Sequence, residues 1–333
     1  MSNGMHSNLI SQLDKLKRHN RQGSIKTRGR YYEAMRRFCR FLAERYRLEK
    51  LSNIAPKHLH GYVKLLQDAG LSPATLKTDL SAIRFWHSKI SNPRHKLPDN
   101  SAFGVERRSH GKENRAWSDD EFTKMLRLTA GMGRDDYVTA LTLAYYAGMR
   151  IEECFTLDTA MAEKALRTGE ITFHGKNGRW RTVPVDGHVA EQLQIMLKKV
   201  RRGSKLLTPA NVPVGNAIHN FQKFIERHRD EIRSPDGGAE RGAAVTLTAH
   251  GLRHSYACRQ YLQFREQGDD YEQACRKVSQ LLGHNRPGIT ARYLAAMREL
   301  SINKQHLENT GIVESRKEAP PLWISESMTR KKS

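Results

Sequence analysis

The stretch 248–293 opens with Thr248-Ala249-His250-Gly251-Leu252-Arg253-His254. It closes with Leu281-Leu282-Gly283-His284 and, a few residues on, Thr290-Ala291-Arg292-Tyr293. Two imidazoles, a guanidinium and a phenol in this arrangement are the groups needed to hold one phosphodiester and attack it. Charge-assisted donors neutralise developing charge on phosphate oxygens. A hydroxyl becomes a nucleophile once a base accepts its proton. His250 lies one helical turn before Arg253, so the two side chains can point the same way. His254 falls on a different face from Arg253 and is expected to support or pack.

The chain around this stretch has 333 residues, enough for two domains. Lys and Arg outnumber Asp and Glu by 57 to 35, a net charge of +22 that suits a polyanionic partner. Charge says nothing of chemistry, and a merely basic or ribosome-associated protein would share it. No apolar run reaches the length of a membrane span, and the N-terminus lacks a signal peptide's apolar core, so a cytoplasmic, nucleoid-associated protein is expected. Cys39, Cys154, Cys258 and Cys275 form no CxxC pair and read as reduced, mostly buried thiols.

Before this stretch the pattern is mostly helical. A short helix is expected over 8–17. Tyr31, Met35, Phe38, Leu42 and Tyr46 recur at helical spacing from Lys26 to Leu48, with Arg36, Arg37, Arg40 and Arg45 on the opposite face. A second helix runs from Pro56 to Ala69 and turns Leu59, Tyr62, Val63 and Leu66 inward. A third begins at Ser72-Pro73 and turns Leu76, Leu80, Ile83 and Ile90 inward. Residues 1–100 thus read as a helical bundle whose basic faces meet phosphates, with Lys77 and Arg84 added to Arg36, Arg37 and Arg40 as contacts. Residues 101–115 are turn-rich and basic, with Arg107 and Arg108, and read as a linker tracking the duplex.

The second domain is expected over 116–310, opening on a Ser118/Glu121 capping box with Trp117 and Phe122 as a staple. A helix over 135–147 leads to Gly148-Met149-Arg150-Ile151-Glu152-Glu153 and another helix. Ile171-Phe173 and Trp180-Val183 read as strands joined through Asn177-Gly178, which puts Lys176 at a hairpin tip. Helices over 187–200, 216–229 and 295–307 complete the pattern. The fold class is mainly α with a small β-hairpin. The tail 311–333 carries one apolar patch, Leu322-Trp323-Ile324.

Four boxes in order resemble the tyrosine recombinases, the phage-integrase family. They are Ala147-Gly148-Met149-Arg150-Ile151-Glu152-Glu153, the hairpin from Gly175 to Val185, His250-Gly251-Leu252-Arg253-His254, and Leu282-Gly283-His284 with Tyr293 beyond it. Residues 1–100 resemble the family's SAM-like core-binding domain in pattern and position. Ala147 stands where the family often has threonine. The segment between Arg253 and His284 is longer than in compact members, with Gln267-Gly268-Asp269-Asp270 as its turn, and an N-terminal arm-binding domain is not expected.

The resemblance implies strand cleavage by Tyr293 through a 3′-phosphotyrosine, with no metal and no other cofactor. Arg150 and Arg253 would grip the phosphate, Lys176 would protonate the leaving oxygen, His250 would exchange the phenol proton, and His284 would donate to the phosphate. Glu153 would orient a guanidinium or the hairpin, and Arg179 and Arg181 would add DNA contacts. The implied partners are double-stranded DNA with an inverted-repeat core site and a homotetramer, with Leu322, Trp323 and Ile324 as an anchor between protomers. An accessory DNA-bending or directionality factor fits the same picture. Integration or excision of a mobile element is the favoured role. The rivals are a Xer-type dimer-resolving enzyme, a topoisomerase-like enzyme, a catalytically dead regulator, and a metal nuclease using His250, His254 and His284.

Overall fold

A computed structural model of the chain describes residues 2–105, 115–174, 180–234, 245–283, 290, 293 and 294. Among these, twelve α-helices and one two-stranded antiparallel sheet occur, in compact units spanning residues 1–109 and 110–333. The mainly helical class with a small sheet is therefore the architecture adopted. Lys176, His284, Arg107, Arg108, Arg179, the helix expected over 295–307 and the patch Leu322-Trp323-Ile324 lie outside the described residues.

The first unit packs α1 (Ser2–His19), α2 (Ile25–Tyr46), α3 (Pro56–Asp68) and α4 (Pro73–His87). Ser24 and Ser72 accept the Thr27 and Thr75 amides and so satisfy donors that α2 and α4 leave open at their N-termini. α1 is longer than its sequence suggests. Leu9 and Leu13 are fully buried, and they join Met35, Phe38, Leu42, Leu59, Tyr62, Leu80 and Ile83 in one core. Each large apolar side chain so buried contributes about 1.5–3 kcal/mol. Ile90 packs on that core from its half-buried edge.

The basic residues of this unit differ in how they are held. Arg36 pairs with Glu33 at 3.2 Å. Arg37 pairs at 2.9 Å with Asp79, a buried carboxylate that also accepts from the Tyr62 hydroxyl. Arg40 is exposed and Lys77 half-buried. Arg84, expected at a phosphate, is held within the unit. Its guanidinium donates to Pro98 O at 3.1 Å and to Asn100 Oδ1, so it braces the segment after α4.

The second unit holds α5 (Asp119–Gly131), α6 (Asp135–Tyr146), α7 (Ile151–Thr156), α8 (Thr159–Thr168), β1 (Glu170–His174), β2 (Trp180–Pro184), α9 (Gly187–Lys199), α10 (Val214–Ile232), α11 (Ala249–Glu266) and α12 (Tyr271–Leu282). The Ser118–Glu121 box caps α5 as its spacing implies. Trp117 is buried. Its backbone amide donates to Ser255 Oγ at 2.8 Å and its indole N–H to Thr248 O at 3.0 Å, which ties the unit's start to α11.

Where one helix was expected after Gly148 there are two. The chain breaks at Asp158, whose carboxylate accepts the Met161 amide and caps α8 afresh. In the sheet Ile171 pairs with Val183 and His174 with Trp180. The turn expected at Asn177-Gly178 lies outside the described residues. α11 is the centre of the unit. Ala249 and every residue from Gly251 to Cys258 are buried, so the first half of this helix is enclosed rather than amphipathic, while much of the second half meets solvent. The four cysteines are free thiols, with Cys39, Cys154 and Cys258 buried and Cys275 partly so.

Candidate active site

Among the described residues, Arg150, Glu153 and His250 sit at helix N-termini, where backbone amides lack intrahelical partners. Gly148, at φ +57°, makes the turn between α6 and α7. A Cβ there would come within 2.2 Å of the Tyr256 ring, so only glycine fits. The turn delivers Arg150 to the N-cap position of α7. Glu153 accepts the Arg150 backbone amide at 2.7 Å and Arg150 Nη1 at 2.8 Å. It also pairs with Arg181.

Arg253 points from α11 into the same place and is 1% exposed. It donates to Gly148 O and to Leu282 O. Arg150 Nη2 reaches Leu282 O as well, at 3.4 Å, and Arg181 Nη1 reaches Leu281 O at 3.0 Å. Three guanidiniums from three elements thus converge on the C-terminal carbonyls of α12, the negative end of its dipole. Gly283 closes that helix at φ +61°, and a Cβ on it would press to 2.7 Å from Arg181 Cδ. Arg150 and Arg253, distant in sequence, are therefore neighbours.

Arg181 is a correction. It was expected on DNA, but β2 alternates, with Trp180, Thr182 and Pro184 outward and Arg181 and Val183 inward. Arg181 is 5% exposed and held by Glu153 and Leu281 O, so its part is to join the sheet to the arginine cluster. The alternation could have revealed this, because Arg181 shares the parity of Val183.

The other side of the site belongs to the start of α11. Thr248 caps it by accepting the Gly251 amide at 3.3 Å. Gly251 lets the helix pass closely, since a Cβ would lie 2.4 Å from Arg115 O and 2.8 Å from the Trp117 ring. His250 Nε2 lies 3.2 Å from the Tyr293 hydroxyl. His254, taken from sequence as a supporting residue, stacks on the Tyr293 ring at 4.1 Å between centroids. Tyr293 is 8% exposed, and it and Arg253 interact electrostatically in the sense that favours the charged guanidinium. Among the expected residues, the structure gathers Arg150, Glu153, Arg253, His250 and Tyr293. The partners that Arg181 takes and the closeness of Arg115 have no signal in the sequence, whereas His254 takes the supporting place expected of it.

Electrostatics in this cluster are dominated by cations. Desolvation, then Arg253, Arg115 and Arg150, push the His250 pKa down to about 4. Solvent reaches part of this residue and trims the effect, but the neutral ring is favoured in the absence of DNA. A neutral imidazole can accept the phenol proton, whereas a cation cannot. A phosphodiester entering among the guanidiniums would offset their charge and raise the ring's basicity where a base is needed. Burial, with Arg181 and Arg150 nearby, also works against the charge on Arg253, yet a guanidinium stays protonated at any working pH.

The histidine shift carries a sign. The folded chain holds that proton more weakly than the unfolded chain, so the ring opposes folding as pH falls from about 6.5 toward about 4. An NMR titration of the DNA-free protein should place the His250 midpoint clearly below the unperturbed 6.5. A midpoint at or above that value would contradict the cationic environment. Adding an uncleavable duplex should move it upward.

Known proteins resemble this chain in sequence and fold. The sequence profile of the phage integrase family matches residues 120–299, and that of the phage integrase N-terminal SAM-like domain matches residues 12–89. The tyrosine recombinase XerD of Oceanobacillus iheyensis is 23% identical over 262 residues, which cover 78% of this chain and 84% of that protein. The XerH site-specific recombinase, in a post-cleavage complex with palindromic difH substrate, superposes with a TM-score of 0.57. It is 19% identical, over 90% of this chain and 83% of that one. A lambda integrase tetramer bound to a Holliday junction gives 0.57 at 17% identity, over 86% of this chain and 76% of that one.

Proposed function

This chain belongs to the phage integrase family, whose enzymes cleave and rejoin DNA, and on that premise we propose that it recombines DNA at a specific site through Tyr293, integrating or excising a mobile element. The observation that carries this reading is the Tyr293 hydroxyl on His250 Nε2, beside a guanidinium pair that shares the Leu282 carbonyl.

The phenol gives its proton to His250 as its oxygen attacks phosphorus. The bond from phosphorus to the 5′ oxygen breaks, and Lys176 supplies a proton to that oxygen, leaving a 3′-phosphotyrosine and a 5′ hydroxyl. Arg150 and Arg253 hold the non-bridging oxygens by charge-assisted donors, with His284 adding another. Glu153 holds Arg150 in place. A 5′ hydroxyl from the partner strand reverses the step. The ester conserves the bond energy, so the exchange needs neither ATP nor a metal.

Residues 1–100 serve as the core-binding domain, 101–115 as the linker, 116–310 as the catalytic domain, and 311–333 as a tail that docks on a neighbour through Leu322, Trp323 and Ile324. Two protomers on inverted half-sites pair with two more in a tetramer. Arg36, Arg37, Arg40 and Lys77 reach phosphates, joined by Arg107, Arg108 and Arg179. An accessory DNA-bending or directionality factor would act with this assembly. The enzyme works on cellular DNA, in keeping with a chain in which, among the described residues, no helix is long and apolar enough to cross a membrane.

A nicked suicide substrate lets the short 5′ fragment diffuse away and traps the ester. The purified protein should form a covalent adduct on DNA carrying its site, and no adduct on such DNA would overturn the reading. A second role, Xer-type resolution of chromosome or plasmid dimers, is favoured by the likeness to XerD over most of both chains. The DNA flanking the gene separates the two. Attachment sites beside the gene mark a mobile element, whereas a single distant chromosomal site marks a resolver.

A further inference from the structure

His250, His254 and Cys258 follow one another at four-residue spacing on α11, so they share one face. Each meets a different part of Tyr293. His250 Nε2 is 3.2 Å from the hydroxyl. The His254 ring lies against the phenol ring at 4.1 Å between centroids and 25° between planes. Cys258 Sγ donates to the Tyr293 carbonyl at 3.5 Å. The tip, the ring and the backbone of one residue are thus each fixed by one helix, the helix that also carries Arg253.

We infer that His254 is a positioning residue, the platform whose stacked ring holds the Tyr293 phenol in the plane from which its oxygen meets phosphorus. A hydrogen bond at the tip leaves a phenol free to swing about that bond. A stacked face removes the swing, because tilting the ring forfeits the contact across its whole area. His254 also stands edge-on to His250, 5.1 Å between centroids and 82° between planes, so it steadies the proton acceptor with the donor. His254 is itself buried, at 6% exposure, so the stacked pair is shielded from solvent.

This inference rests on Tyr293 as the nucleophile and goes beyond it. Attack geometry is sensitive at this scale, and a displacement of about 1 Å can cost about 100-fold in rate. The test is single-turnover adduct formation on a suicide substrate by His254→Phe and His254→Leu, with DNA affinity measured alongside. Both substitutions remove the ring nitrogens and both fill the volume, but only phenylalanine keeps an aromatic face. His254→Phe should cleave within about threefold of wild type, and His254→Leu about 10- to 100-fold more slowly at unchanged DNA affinity. Equal rates for the two variants, whether both high or both low, would overturn the inference. So would a leucine variant whose defect lies in DNA binding. A wild-type protein that forms no adduct, or a Tyr293→Phe protein that still forms one, would instead strike the reading of Tyr293 itself.

Discussion

Tyr293→Phe should bind DNA as the wild type does and form no covalent adduct, a fall in cleavage rate of more than about 10³-fold, as expected when a nucleophile is removed outright. The structure makes this substitution clean. Phenylalanine keeps the ring that stacks on His254 and loses only the oxygen that meets His250 Nε2 at 3.2 Å. The Cys258 bond goes to the Tyr293 carbonyl and survives. One part-buried hydrogen bond is worth about 0.5–1.5 kcal/mol, so thermal unfolding should shift by a few degrees at most. The phenol rests on its own chain's His250, so cleavage is expected in cis. Mixing Tyr293→Phe with an Arg253 variant should then leave both DNA strands uncut. An adduct from that mixture would mean that the tyrosine is delivered between protomers. An adduct from Tyr293→Phe alone would remove Tyr293 from the chemistry altogether.

The members of this site that were legible in the sequence are those whose positions follow from chain-local rules. His250 and Arg253 are three residues apart, and a helix puts both toward one region whatever surrounds it. Arg150 and Glu153 are similarly spaced at a helix start, where a carboxylate three residues in can reach back to the N-cap amide. The partners of Arg181 and Arg84 are not legible in the sequence, because a basic residue in a chain of net charge +22 reads as surface unless its partner is known. Those partners, Glu153 with Leu281 O for Arg181 and Pro98 with Asn100 for Arg84, are tertiary or set by a loop. The break between α7 and α8 was missed for a related reason. α7 ends at Thr156, and Asp158 caps α8 two residues on, within an otherwise continuous pattern. The need for glycine in His250-Gly251-Leu252 is tertiary too, set by Trp117 and the Arg115 carbonyl packed against it.

Arg150 and Arg253 should part company when each is removed, although both are proposed to hold the same phosphate. Arg150 is 37% exposed at its side chain and leans on Glu153, which keeps Arg181 as a partner if Arg150 is lost. Arg150→Ala should therefore unfold near the wild-type temperature while cleavage falls about 10²–10³-fold, the scale of losing one transition-state donor. Arg253 is 1% exposed and is bonded to Gly148 O on one side and Leu282 O on the other, so it joins the α6–α7 turn to the end of α12. Arg253→Ala strips the Gly148 carbonyl of this donor, leaves Leu282 O to the 3.4 Å contact from Arg150, and opens a cavity where the side chain lay, a loss of about 2–5 kcal/mol on top of a comparable loss of cleavage. Arg253→Lys separates charge from shape. One ammonium cannot span both carbonyls and a phosphate oxygen as a planar fork does, so cleavage should stay at least about 10-fold down with stability only partly restored. A fully active lysine variant would mean that charge alone is required there. Matching losses of stability in Arg150→Ala and Arg253→Ala would contradict the division of labour between a solvent-facing clamp and a buried strut. His250 supplies an independent check on the same geometry. Arg253 is the largest of the cationic influences that lower its pKa, so the His250 midpoint should rise in any Arg253→Ala protein that folds.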